Sequence, residues 1–249
     1  MKVDILASGS SGNCIALTSG ETTILIDAGI ARTKIEKALM EVGIKAADVK
    51  AIFVTHAHGD HVRGLPLANK YKIPVYAGAG EWKVIKGVDD ELRKTAKAGF
   101  ADGIDFKLEV LAFKTHHDSH EPIGYVVKNI ETGFQCSICL DTGIVDAAML
   151  NAMKDSDVYI IESNHEPRMV EASAYPTSVK VRILSHVGHL SNEQTADTLS
   201  RLVRGNGELI YLTHLSNKNN LPMLAEMTTV KKLLSKGFVR NKHYKIEVK

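Results

Sequence analysis

Thr55-His56-Ala57-His58-Gly59-Asp60-His61 places four metal-ligand side chains within six residues. They follow the apolar run Ala51-Ile52-Phe53-Val54, which reads as a buried strand, so the ligands stand on the loop that leaves its end. His56 and His58 are two apart, and extended chain puts both imidazoles on one side. Asp60 and His61 come after the turn at Gly59, where the chain turns helical, and can point to a second position. Neutral imidazole suits zinc, iron or manganese, and a carboxylate adds negative charge to a divalent site. A solvated loop can also be rich in histidine. The density of ligands here, and their place after a strand, favour a metal site.

Ligand-type residues recur where other apolar runs end: His117, Asp141, Glu162 and His214. In Thr115-His116-His117-Asp118-Ser119-His120 three histidines crowd together, and they cannot all be ligands. Asp27 closes an early strand and is either a carboxylate orienting a ligand histidine or a cap for the next segment. The polar turn Ser8-Gly9-Ser10-Ser11-Gly12-Asn13 has amides able to cradle a phosphate, although a plain connection between two strands explains it as well.

The elements that carry these residues alternate strand and helix. Val3 to Ala7, Cys14 to Thr18 and Thr23 to Ile26 read as strands joined in antiparallel hairpins. Ile30, Ile35, Ala38, Leu39 and Val42 repeat at helical spacing, and Gly43 ends that helix. One helix is expected from Asp60 to Tyr71, a strand over 73–76 and a short helix over 78–85, while 86–105 is polar and unassigned. Strands follow within 106–113 and over 123–127, 134–140, 157–161, 208–213 and 244–248. Helices are expected over 146–153, 178–184, 192–203 and 222–236, the third opened by a capping box of Ser191 and Gln194. Loops at strand ends that bear ligands are how a layered α/β protein builds a site. No repeat, linker or low-complexity tract interrupts residues 1–249, which read as one domain of two β-rich halves flanked by helices.

Composition agrees with a globular chain: 44% hydrophobic, 24% charged, net charge +2. That charge neither demands nor excludes a polyanionic partner, since a local patch suffices. Three cysteines, Cys14, Cys136 and Cys139, argue against a disulfide framework and suit a reducing cytosol. The Cys136–Cys139 pair lies in a strand-like run and reads as small core residues. Asp4 interrupts the first apolar run, so no signal peptide is expected there, and no apolar stretch reaches membrane-spanning length.

His56-Ala57-His58-Gly59-Asp60-His61 resembles the H-x-H-x-D-H signature of the metallo-β-lactamase fold. Ser8-Gly9-Ser10-Ser11-Gly12-Asn13-Cys14, His117-Asp118, Asp141-Thr142-Gly143, Glu162-Ser163-Asn164-His165, Gly188-His189-Leu190-Ser191-Asn192 and Thr213-His214-Leu215-Ser216 are similar to the YycJ (WalJ) family in particular. The resemblance covers essentially the whole chain. It implies a four-layer αββα sandwich, with mixed β-sheets flanked by helices. It also implies two divalent metal ions (zinc or manganese, with iron as a further option) and 5′→3′ exonuclease action in the cytoplasm, on DNA ahead of RNA. Carried over residue by residue, His56, His58 and His117 would hold the first ion, Asp60, His61 and His214 the second, and Asp141 would bridge them. His116 and His120 become bystanders, because the family pattern sets the ligand immediately before Asp118. His189 matches a position that lies near the scissile phosphate in the related tRNase Z group. It is the expected catalytic proton donor, held by Glu162, and Asp60 is counted with these two as a catalytic residue.

Two such ions lower the pKa of a bridging water toward neutrality and stabilise charge on a phosphate, so no protein nucleophile is required. Arg168, Lys180 and Arg182 are candidate phosphate contacts, with solvated surface charge the competing reading. A thioester or lactone hydrolase of the glyoxalase II-like branch is the alternative. The oxidoreductase branch of the fold has a carboxylate where this chain has His58, and nothing signals the export an antibiotic hydrolase needs. The interval from Asp141 to Glu162 is too short for the inserted domain of the RNase J group, and no long tRNA-clamping arm is evident.

Overall fold

A computed structural model describes residues 1–249. The chain divides into two compact units, one of Met1–Lys114 with Ser119–Phe134, the other of Thr115–Asp118 with Gln135–Lys249.

The first unit opens with β1 (Lys2–Ala7), β2 (Cys14–Ser19) and β3 (Thr22–Ile26), paired antiparallel as the turn chemistry predicts. α1 (Arg32–Glu41) buries Ile35 and Leu39 and stops before Gly43, which takes the left-handed conformation that glycine adopts without a Cβ penalty. α1 makes the crossover that lets β4 (Val49–Phe53) run parallel to β3. The five residues of β3 are all buried, as a parallel strand covered on both faces requires.

The chain then departs from expectation. Instead of one helix from 60 to 71 there are two, α2 (Gly59–Val62) and α3 (Pro66–Tyr71). Pro66 has no N–H to continue a helix and opens the second one. Gly64 between them sits so tightly that a Cβ there would come within 2.3 Å of the Ile30 carbonyl oxygen. β5 (Val75–Ala77) follows, and the segment 78–85 holds only a single 3-10 turn, Glu81–Lys83. The unassigned stretch contains β6 (Arg93–Thr95) and β7 (Ala101–Ile104), too short and too polar to show an alternation. β1 to β6 form a mixed sheet in sequential order, while β7, β8 (Leu108–Lys114) and β9 (Ile123–Asn129) form an antiparallel meander.

The second unit is a parallel array. β10 (Gln135–Cys139), α4 (Ala147–Met153) and β11 (Val158–Glu162) lead to α5 (Pro167–Ala172), a helix the sequence reading missed although Pro167 at its first position is a start signal. α6 (Thr177–Ile183), α7 (Asn192–Leu202), β12 (Glu208–Thr213), α8 (Pro222–Ser235) and β13 (Tyr244–Val248) complete it. β10, β11, β12 and β13 pair in that order, each parallel to the next, and α7 packs on α8. The Ser191–Gln194 capping box is present in both directions. Cys14, Cys136 and Cys139 are free and fully buried, and burial pushes all three thiols above their usual range. His243 is half-buried: its Nδ1 accepts the Val239 amide at 2.9 Å, and Phe238 meets the ring edge-on. No helix is long and apolar enough to cross a membrane.

Candidate metal centre

In the first unit the loop after β4 is shaped by a second loop, the one after β3. The Ala28 N–H bonds the His61 carbonyl at 2.9 Å, and from the turn between β1 and β2 the Asn13 N–H bonds the Asp60 carbonyl at 2.8 Å. The approach is so close that a Cβ on Gly29 would lie 1.6 Å from the Asp60 oxygen, so that position accepts only glycine. Asp27, fully buried and left-handed at φ 60°, accepts from the Thr55 amide at 2.8 Å and the Thr55 hydroxyl at 2.9 Å. Its Oδ2 also lies 2.7 Å from His61 Nδ1. Of the two roles open to Asp27, this geometry is that of a carboxylate orienting a histidine. Burial raises its carboxyl, and His61 and Thr55 act against that rise.

These bonds set the tautomers. His61 Nδ1 gives its proton to Asp27, which leaves Nε2 as an acceptor, 3.2 Å from Asn13 Nδ2 and 3.6 Å from Asp60 Oδ2. The Thr55 hydroxyl donates to Asp27, so His56 Nδ1, 3.1 Å from Thr55 Oγ1, is the donor in that pair. His56 Nε2 then turns its lone pair toward His58 Nδ1, 3.0 Å away. Imidazole nitrogens with orienting partners behind them, beside the Asp60 carboxylate, are the donor set of a divalent transition-metal site.

Sequence reasoning missed one residue of this loop's surroundings. Glu81 is fully buried and accepts the amide of Ala57, the residue between His56 and His58, at 2.8 Å. It also accepts from the Ser119 hydroxyl at 2.7 Å and the Glu121 amide at 2.6 Å. An acidic residue in a stretch read as a short helix carried no signal of this role.

The second unit gathers Asp141, Glu162, His189 and His214, whose ligand atoms lie within 4.8 Å of one another. Asp141 follows β10 and His214 follows β12, both in left-handed conformation at φ 48° and 53°. Such backbone is uncommon outside glycine and concentrates at functional sites. His214 Nδ1 is 2.6 Å from Asp141 Oδ1. Glu162, at the end of β11, is wholly buried: its Oε1 accepts the Thr142 amide at 2.7 Å and the Leu190 amide at 3.2 Å. Its Oε2 lies 3.0 Å from His189 Nδ1 and 3.4 Å from His214 Nδ1. Desolvation pushes the Glu162 carboxyl up, but His189 and His214 outweigh it and leave it below the usual range. Desolvation likewise works against a charged His189, and Glu162 and Asp141 overcome it, holding the imidazole up at about 9. Geometry alone admits Glu162 and His189 as ligands too, although the oxygens of Glu162 are already engaged by amides and imidazoles.

Of the three clustered histidines the structure separates the roles. His117 is buried, its Nδ1 gives a proton to the Gly188 carbonyl at 2.9 Å, burial lowers its pKa, and its Nε2 lies 3.3 Å from Asp118 Oδ1. His116 turns its Nε2 to Asp146, the N-cap of α4, at 2.8 Å, and His120 is exposed. Arg182 grips Asp118 through two bonds, which ties one candidate phosphate contact to a carboxylate, while Arg168 is exposed and Lys180 half-exposed. His186 is exposed, and His165 is buried with no protein partner for its Nδ1.

Comparison with known proteins gives this arrangement its class. Residues 22–215 match the family model described as a β-lactamase superfamily domain. The metallo-β-lactamase fold protein YhfI from Bacillus subtilis superposes with a TM-score of 0.69 over 98% of this chain and 95% of its own, at 14% identity, a likeness of fold alone. The α/β architecture expected from the sequence is therefore that of a metallo-β-lactamase-fold protein, a class in which His/Asp clusters of this kind bind divalent metal. Closer in sequence are exodeoxyribonuclease YycJ of Bacillus anthracis, 36% identical over 94% of this chain and 89% of its own length, and exodeoxyribonuclease WalJ of Streptococcus pneumoniae, 35% identical over 93% and 88%. The chain belongs to the YycJ/WalJ family.

Proposed function

We propose that the protein is a metal-dependent exodeoxyribonuclease, hydrolysing the phosphodiester bonds of DNA from the 5′ end in the cytoplasm. The observation that carries the activity is near-full-length identity of 35–36% to two relatives that bear that name. The same observation favours the nuclease over the thioester-hydrolase alternative. The donor set supports two divalent ions, zinc, manganese or iron. By the family order His56, His58 and His117 would hold the first, Asp60, His61 and His214 the second, and Asp141 both. When bound, such ions supply activation of water and stabilisation of phosphate charge.

The chain's own residues do the rest. Asp27 and Thr55 fix the tautomers of His61 and His56, so that lone pairs and not protons face the cation. The Gly188 carbonyl does the same for His117. Asp60 is part-exposed and sets its Oδ2 3.6 Å from His61 Nε2, which adds a carboxylate to the donor set. His189 has Nδ1 against Glu162, which leaves Nε2 to give a proton to the departing 3′-oxygen. Glu162 holds that imidazole charged and aimed, as a carboxylate does for a general acid.

End-labelled single- and double-stranded DNA and RNA, incubated with metal-reconstituted protein, test the reading. Mononucleotides released progressively from 5′ ends of DNA are the expected products. Inertness on every polynucleotide, with rapid thioester turnover, would overturn it.

A further inference from the structure

We propose that Glu81 is a positioning residue that builds the half of the metal site made by His56 and His58. The inference rests on the reading of these two histidines as ligands and adds a residue outside the ligand set. A carboxylate buried without compensation is costly, so its partners indicate its use. Here every polar neighbour donates: the Ala57 amide to Oε2 at 2.8 Å, the Glu121 amide to Oε1 at 2.6 Å, and the Ser119 hydroxyl to both oxygens at 2.7 and 2.8 Å. Ala57 is the residue between the two histidines, and its amide is the point at which the loop is pinned. The Ser119 and Glu121 ends of the grip belong to the segment that begins two residues after His117. One carboxylate therefore registers the His56–His58 loop against the stretch that follows the third histidine.

The carboxylate is itself held from behind. It sits on the 3-10 turn Glu81–Lys83, and Glu121 returns a bond of its own, Oε2 accepting the Gly80 amide at 2.7 Å. Gly78 and Gly80 pack directly on this stretch, with a Cβ on Gly78 coming within 2.6 Å of the Glu121 carbonyl oxygen. The result is a closed brace between two loops, with acceptor oxygens at its centre. Glutamine in place of Glu81 keeps the shape but turns one acceptor into a donor facing an N–H, so one arm of the brace must open.

The test compares Glu81→Gln and Glu81→Asp with Asn69→Leu. Asn69 joins Gly87 and Asp89 elsewhere in the same unit, so its loss weakens the fold without touching the ligand loop. Cobalt(II) is titrated into chelator-stripped protein, and its absorption spectrum and stoichiometry are read against thermal stability. Glu81→Gln should weaken the ion lost in His58→Ala at least tenfold, the usual cost of removing a group that orients ligands, and alter its ligand-field bands. The ion lost in Asp60→Ala should stay, and excess metal should restore turnover. Glu81→Asp should fall between Glu81→Gln and wild type. Metal binding reduced equally by Asn69→Leu at matched stability would overturn the proposal, as would an unchanged cobalt spectrum in both Glu81 variants. If His56→Ala and His58→Ala themselves keep full stoichiometry, the ligand reading fails first and the role of Glu81 falls with it.

Discussion

His189 carries the sharpest consequence of the second unit's geometry. Its Nδ1 is occupied by Glu162 and its backbone amide by the Ile183 carbonyl, so truncation removes the imidazole without moving the carboxylates. His189→Ala should keep its metal and still bind DNA, with turnover reduced roughly a hundredfold or more. The loss should shrink on a p-nitrophenyl phosphodiester, whose leaving group needs no proton. Equal losses on both substrates would make His189 a phosphate-positioning group instead. His165, directly before the N-cap of α5 and only 2% exposed, yields a pH prediction. Burial pulls its pKa down to about 4, so the folded state disfavours the charged ring. The stability due to its neutral form is present above about 6.5 and is lost as pH falls toward 4, up to about 3 kcal/mol. Denaturant unfolding of stripped protein across that window should fall more steeply for wild type than for His165→Asn, and parallel slopes would contradict the assignment. Residues of this kind differ in how legible they were. His56 to His61 announced themselves by density, and Asp27 was one of two readings. Glu81 was silent because its partners, at 57, 119 and 121, are remote in sequence.

At the scale of elements, strand ends were legible and helix interruptions were not. The last strands and the capped helix α7 fell where hydrophobic runs and turn residues put them, because those signals are local. The break between α2 and α3 went unread although Pro66 is a local stop signal, and the packing of Gly64 against the Ile30 carbonyl beside it is a contact between loops that no periodicity records. β6 and β7 were missed because their pairing comes from neighbouring strands and not from their own alternation. The cap of α7 makes a testable point. Ser191 accepts the Gln194 amide at 3.2 Å, and Gln194 returns a bond to the Ser191 amide at 2.9 Å. Ser191→Ala should cost about 1 kcal/mol and lower Tm by about 2–4 °C. Metal content should be unchanged, since His189 and Leu190 keep their own backbone bonds to the Ile183 carbonyl and to Glu162.

For the whole molecule, binding of metal by the folded chain alone couples occupancy to stability. Adding zinc or manganese to stripped protein should raise Tm, by about 2.7 kcal/mol of stabilisation at a hundredfold excess over Kd, and a chelator should reverse it. Elemental analysis should find two ions per chain. Asp141→Ala should reduce both and His214→Ala chiefly one, whereas a single ion with full activity would remove the shared role of Asp141. The cysteines bear on how such experiments are done. All three are sealed in the core with their thiols held protonated, so the native chain presents no fast-reacting sulfur to maleimides or mild oxidants. A single cysteine placed at the exposed Met223 would then be the one handle a fluorophore or spin label finds, and the protein needs no thiol-free background for distance measurements on its DNA complexes.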